Sequence, residues 1–298
     1  MSAITATTVK ELREKSGAGM MECKKALEQS GGDLDAAMKW LREKGAASAE
    51  KKAGRATAEG LVAFRIAGTK GVIVEVNCET DFVAKTEQFI ALVDSAADAA
   101  LGASLPADPT EAAAALAQVK AKDGQALDAQ VKAAIAGLGE NMALARAATL
   151  EVRQGVLGSY RHSDGKLAAL VAVAFTKPTS AASPELAELA KQLAMQVAGN
   201  LPPAEVVSRE QISPALIARE KEIAVTQAAQ AGAGKPQAII DKIAEGKVNK
   251  VLQEITLLEQ PFIMDTNLKI SDLLKQAGAK LGDTLTISGF ARLKVGVK

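Results

Sequence analysis

Residues 60–78 read GLVAFRIAGTKGVIVEVNC, and within them the hydrophobic period changes from helical to two. Gly68-Thr69-Lys70-Gly71 supplies turn residues between two apolar runs. On the second run Val72, Val74, Val76 and Cys78 fall on one face, so a β-hairpin is expected here. What lies on either side of this hairpin then decides the class of fold.

Upstream, residues 1–45 read as three short helices. Thr8 and Glu11 make a capping box for the first, and Gly17 fits its stop. MMECKKALEQ (residues 20–29) forms the second, with a buried stripe expected at Met20, Cys23 and Leu27. Asp33 caps the third, whose stripe Leu34, Ala37, Met38 and Leu41 is expected to end at Gly45. The pattern resembles the ubiquitin-associated type of three-helix module. Residues 46–60, AASAEKKAGRATAEG, read as a partly helical linker.

Downstream, CETDFVAKTEQF (residues 78–89) connects the hairpin to a helix beginning near Thr86, with Phe89, Leu92, Val93 and Ala96 inward. An alanine-rich stretch over 110–148 reads as one or two helices interrupted at GLGEN (residues 137–141). The strand-turn-strand-helix pattern then recurs: VLGSYRHSDGKLAALVAVAF turns at Ser163-Asp164-Gly165, and a helix follows with Ser183 as cap and Pro184 at its first position. Two such copies imply an α+β fold with a core of two related subdomains carrying antiparallel sheets. Ser213-Pro214 starts a further helix, Gly232 to Pro236 supplies a turn, and Ile240, Ala244, Val248, Val251 and Ile255 stripe the next. This is an inserted antiparallel helical hairpin, open to reading as an interaction arm or as a core element. The expected division is 1–54 for the N-terminal module, 55–153 and 154–204 with 258–298 for the two subdomains, and 205–257 for the hairpin.

Composition narrows the function classes. The chain of 298 residues is 48% apolar, with 36 basic and 35 acidic residues, so the basic excess of a nucleic-acid binder is missing. Two cysteines, Cys23 and Cys78, match no zinc or redox spacing. The N-terminus has no apolar core of signal-peptide type, and no stretch has the length of a membrane span. A cytoplasmic location, no membrane contact and no direct nucleic-acid contact are expected. With one histidine, His162, no glycine-rich phosphate loop and no nucleophile elbow, there is no positive reason to propose an enzyme.

Individual residues carry two readings each. Phe82, one of 6 phenylalanines, lies three residues too early for a hydrophobic staple at the Thr86 cap. It is either packed under its own loop or an exposed anchor for a partner pocket. Asp81 is a cap or turn former, or a partner contact or metal competitor. Met21 falls on the outer face of its helix beside Lys25, with Lys24 flanking the stripe, which suits a solvated face or a contact surface. His162 stands near a hairpin turn, and Ile263-Met264 reads as a buried strand pair.

LREKSGAGMMECKKAL (residues 12–27) and EVNCETDFVAK (residues 75–85) closely resemble the two signature segments of the bacterial elongation factor Ts family, and GLGEN, GSYRH, EGKV and QPFIM follow in the family's order. The resemblance covers essentially the whole chain. It implies a nucleotide exchange factor for elongation factor Tu, without covalent chemistry and without a cofactor of its own, acting on the partner's GDP and magnesium. It implies that Thr80, Asp81, Phe82 and Val83 intrude near the partner's magnesium site, and that Phe82 is exposed in the free protein. Met20, Met21 and Lys24 are expected to bind the GTPase domain, with Leu138, Gly139 and His162 as further contacts. Ile263 and Met264 are expected to touch a more distant domain. In the family the helical hairpin can mediate self-association, so a homodimer through it is an expectation. Ser16 stands where the family usually has threonine, Leu138 where isoleucine is frequent, and some members continue beyond the position of Lys298 into a C-terminal helical module. The rival function is a non-enzymatic module that holds a peptide or a ubiquitin-like fold on the N-terminal helices.

Overall fold

The computed structural model describes residues 4–178, 183–231 and 236–297. The chain divides into two compact units: Met1–Thr149 with Arg161–Ala168 and Ala291–Lys298, and Leu150–Tyr160 with Ala169–Phe290. The architecture is α+β, with small antiparallel sheets.

The first unit opens with α1 (Ala6–Ser16), α2 (Met20–Gln29) and α3 (Leu34–Lys52). The capping box sits one turn earlier than Thr8 and Glu11. Thr5 is the cap and Thr8 its reciprocal partner, while Glu11 instead pairs with Lys15 along the helix. The stripe of α2 is also corrected: Cys23, Ala26 and Leu27 are buried, whereas Met20 is 54% exposed. Nor does α3 stop at Gly45. It runs on to Lys52, because Gly45 meets the next helical layer, where a Cβ would stand 3.4 Å from the Lys132 carbonyl oxygen. Val9, Leu12, Cys23, Leu27 and Ala37 close a small core of their own.

The expected hairpin is β1 (Glu59–Ala67) and β2 (Lys70–Cys78), with Ala67 paired to Lys70 around a tight turn at Gly68, φ +57°. Val72, Val74, Val76 and Cys78 are fully buried and pack against Phe89, Val93 and Ala96. These last residues lie on α5 (Glu87–Gly102), which follows the single turn α4 (Asp81–Ala84). After α6 (Pro109–Leu116) and α7 (Leu127–Leu138), the alanine-rich run does not stay helical. Met142–Glu151 is strand β3, hydrogen-bonded beside β2. Alanine at alternate positions hides the period of two, which is why this segment reads as helix.

The second unit repeats the scheme. β4 (Gly155–Arg161) and β5 (Leu167–Phe175) form the second hairpin, α8 (Pro184–Gly199) follows under its Ser183 cap, and a later strand again lies beside the second hairpin strand. α9 (Pro214–Ala231) and α10 (Gln237–Ile255) make the helical hairpin. Its seam includes Ala224, Ala228, Ala244, Val248, Leu252 and Ile255, with Leu252 buried in place of the expected Val251. The turn expected at Gly232 to Pro236 falls on residues 232–235, outside the described residues. The two short strands β6 (Pro261–Phe262) and β7 (Asp265–Lys269) precede α11 (Ile270–Leu281), and β8 (Leu285–Lys294) completes the sheet in the order β4-β5-β8.

Candidate functional site

The signature connection is not a loose loop. Thr80 caps α4, its hydroxyl oxygen accepting from Val83 N at 3.3 Å, and its carbonyl accepts from Ala84 N at 3.2 Å. Thr86 then caps α5, so two caps in quick succession leave only one helical turn between strand and helix. Within that turn the side chains divide sharply. Val83 and Ala84 are buried and join the core, while Phe82 is 78% exposed. Of its two readings, cover under its own loop is thereby excluded.

A four-residue turn cannot hold its own shape, since nucleating a helix fixes several dihedrals for one hydrogen bond. Here it is fastened from outside. Glu140 accepts from both the Thr80 amide (3.0 Å) and the Thr80 hydroxyl (2.6 Å). Reciprocally, Glu79 Oε1 accepts from Asn141 N at 2.6 Å, and Asn141 Nδ2 donates to Arg55 O at 2.8 Å. Cys78 Sγ donates to Thr80 O at 3.2 Å. Burial, followed by the negative charge of Glu140, pushes the Cys78 thiol up to about 12, so it stays a neutral donor.

Asp81 is not the cap; it is the first helical residue and pairs with Lys85 at 2.7 Å. The Lys85 hydrogen bond holds its carboxyl below the ordinary value, helped by the charges of Lys85 and Lys166. Lys166 comes from the β4–β5 hairpin tip, Arg161–Ala168, which is itself part of the first unit; there Val62 N donates to Gly165 O (2.8 Å) and Lys166 pairs with Glu59. His162 lies on this tip, half-exposed, with Nδ1 3.1 Å from Asp164 Oδ1. The Asp164 carboxyl is depressed, chiefly by the Lys166 amide and then by His162.

Leu138 and Gly139 end α7 immediately before Glu140. Gly139 is exposed and takes φ +82°, the left-handed cap that turns the chain, while Leu138 is partly buried against the core. Thus Glu140 ties the end of α7 to Thr80, while Lys166 fastens the His162 tip to Glu59 and lends its charge to Asp81; spacing alone singled out neither Glu140 nor Lys166. Met20 (54% exposed) and Met21 (74% exposed) stand at the start of α2, with Lys24 exposed one turn on. The Ser16 hydroxyl accepts from Ala18 N at 3.2 Å. In the second unit Ile263 and Met264 are not a buried strand pair. They occupy the turn between β6 and β7, exposed, with Ile263 N donating to the buried Gln196 side chain at 2.8 Å.

Among the described residues no cluster of three or more His, Cys, Asp or Glu is placed to hold a metal ion, and no helix is long and apolar enough to cross a membrane. A cleft of about 520 Å³ in the first unit, lined by Ser16, Met38, Leu41, Gln88 and Ser95 among others, contains none of the residues predicted for the site.

The family model described as Elongation factor TS matches residues 79–297. Among curated relatives, Elongation factor Ts of Nitratidesulfovibrio vulgaris (strain DP4) is 45% identical, over 99% of this chain and 96% of its own length. Elongation factor Ts of Rhodospirillum rubrum is 44% identical over 99% and 94%, and that of Prosthecochloris aestuarii 41% identical over 99% and 100%. The chain belongs to the elongation factor Ts family of translation elongation factors.

Proposed function

We propose that the chain is a guanine nucleotide exchange factor that binds elongation factor Tu in its GDP form and promotes GDP release so that GTP can bind. The observation that carries this reading is Phe82, 78% exposed on a turn whose next two residues, Val83 and Ala84, are buried and whose cap, Thr80, is hydrogen-bonded to Glu140. A large apolar side chain exposed on a fastened turn suits insertion into a partner's pocket, because little ordering entropy remains to be lost on binding. Phe82 acts as a wedge beside the partner's magnesium site, and Asp81 disturbs the polar network there. Thr80 and Val83 hold the turn, while Met20, Met21, Lys24, Leu138, Gly139 and His162 extend the contact. Ile263 and Met264 reach a more distant domain of the partner.

Release follows from linkage. A factor that binds the nucleotide-free GTPase more tightly than the GDP form weakens GDP binding by the same factor. No covalent bond changes and the chain needs no cofactor, since the magnesium and nucleotide belong to the partner. It works in the cytoplasm without nucleic acid or membrane. The exposed Ile223, Val225 and Ile239 on α9 and α10 suit self-association through the helical hairpin. The test is release of a fluorescent GDP from elongation factor Tu. Acceleration by substoichiometric amounts of the chain is expected, and no acceleration overturns the reading.

A further inference from the structure

We propose that Glu140 is the positioning residue for Phe82, a proposal that rests on the exchange-factor reading above. Three observations lead to it. The Glu140 carboxylate accepts from Thr80 at two points, amide and hydroxyl, at 3.0 and 2.6 Å. The same Thr80 oxygen that donates to Glu140 accepts from Val83 N, so a relay runs from Glu140 through the cap into the turn that carries Phe82. And α4 is four residues long, too short to set its own orientation; its far end is held by the buried Val83 and Ala84 and by Thr86 bonding Val83 O, so the pose of Phe82 depends at its near end on what holds Thr80.

Hydrogen bonds to a charged acceptor are the strong ones, and a bidentate pair adds direction. The Cys78 thiol bond to Thr80 O and the Glu79–Asn141 bond support the same strand end, but neither reaches the Thr80 hydroxyl. Glu140 itself is aimed by Gly139, whose left-handed backbone turns the chain out of α7 toward Thr80. The effect of changing Gly139 therefore includes displacement of Glu140, beyond any contact that glycine makes with a partner. Glu140 need not touch the partner at all. It acts by keeping the aromatic ring in the one orientation that fits.

The experiment is a double-mutant cycle on GDP release from elongation factor Tu, joined to amide hydrogen exchange of the free protein. Glu140→Ala is expected to lower the maximal release rate at least about tenfold, with little change in the partner concentration that gives half the maximum. In a Phe82→Ala background the same change is expected to add almost nothing, because the positioned group is already gone. Exchange at Val83 and Ala84 is expected to quicken in Glu140→Ala. Glu140→Gln, which keeps the shape but places an amide donor against Thr80, is expected to move the same readouts in the same direction. Full additivity with Phe82→Ala, or unchanged exchange at Val83 and Ala84 in both variants, overturns the proposal. If the unmodified chain fails to stimulate release, the functional reading falls, and the exchange measurement still decides whether Glu140 holds the turn.

Discussion

Gly158 of β4 lies so close to Ala190 of α8 that a Cβ added at Gly158 would stand 1.9 Å from the Ala190 carbonyl oxygen. The obstacle is helix backbone, which has no rotamer to yield. Gly158→Ala is therefore expected to push strand and helix apart at a cost of about 3 kcal/mol. Urea unfolding of the variant beside the parent measures it, and a change within about 0.5 kcal/mol, the range of ordinary surface substitutions, would contradict the packing described.

Phe82→Ala is expected to separate function from stability. The ring is 78% exposed, so its removal forfeits almost no buried area and is expected to alter folding stability by less than about 0.5 kcal/mol. GDP release from elongation factor Tu is expected to slow by about tenfold or more, the loss typical of a central aromatic anchor. Asp81→Ala is expected to cost less, since a polar loop contact with the partner is worth less than a buried aromatic anchor. Thermal melts and release kinetics on the same preparations check both statements. The reverse order of the two release defects would shift the main role from wedge to carboxylate.

Much of this was legible in the chain. Period and turn residues locate both hairpins, and Thr86, Ser183 and Asp33 are caps as their sequence context predicts, because a hydroxyl or carboxylate before an amphipathic run has one local use. What misled were residues whose role is set by distant neighbours. Gly45 has the chemistry of a helix stop, yet it serves close packing on α7, and nothing within several residues of it says so. Met142–Glu151 looked helical because alanine fits either period, and only the edge of β2 makes it a strand. Met20 lies on the helical repeat with Cys23 and Leu27, but at the first position of α2 it projects past the small core. At the site, Phe82 was conspicuous for its rarity, whereas Glu140 was not. It is 60 residues from Thr80, and an acidic residue after a helix-ending glycine has no local signature.

Cys78 makes a pH-dependent prediction. Its thiol is raised from an ordinary 9.0 to about 12, first by burial and then by the charge of Glu140. Below about 9 both folded and unfolded chains keep the proton, and Cys78 adds no pH dependence. Between about 9 and 12 the unfolded thiol ionises while the folded one does not, so stability falls as pH rises. Relative to a Cys78→Ala variant, the parent is expected to lose about 1 kcal/mol by about pH 10. Paired urea titrations across that range measure the difference, and parallel curves would mean that the thiol is not held protonated.

Gln196 offers the corresponding test in the second unit. Its side chain is fully buried, donating to Gln260 Oε1 at 3.1 Å and to Pro261 O at 3.2 Å while accepting from Ile263 N at 2.8 Å. Every polar atom of this amide is thus engaged with the segment leading into the exposed Ile263–Met264 turn. Gln196→Met fills similar volume but offers neither donor nor acceptor, leaving the Ile263 amide and the Gln260 oxygen without these bonds. A loss of about 2–3 kcal/mol is expected from buried groups stripped of their partners. Amide exchange is expected to quicken at Ile263 in particular, because its N–H bond ends on the deleted oxygen. Equal protection at Ile263 in parent and variant would show that β6 and β7 hold the turn without Gln196.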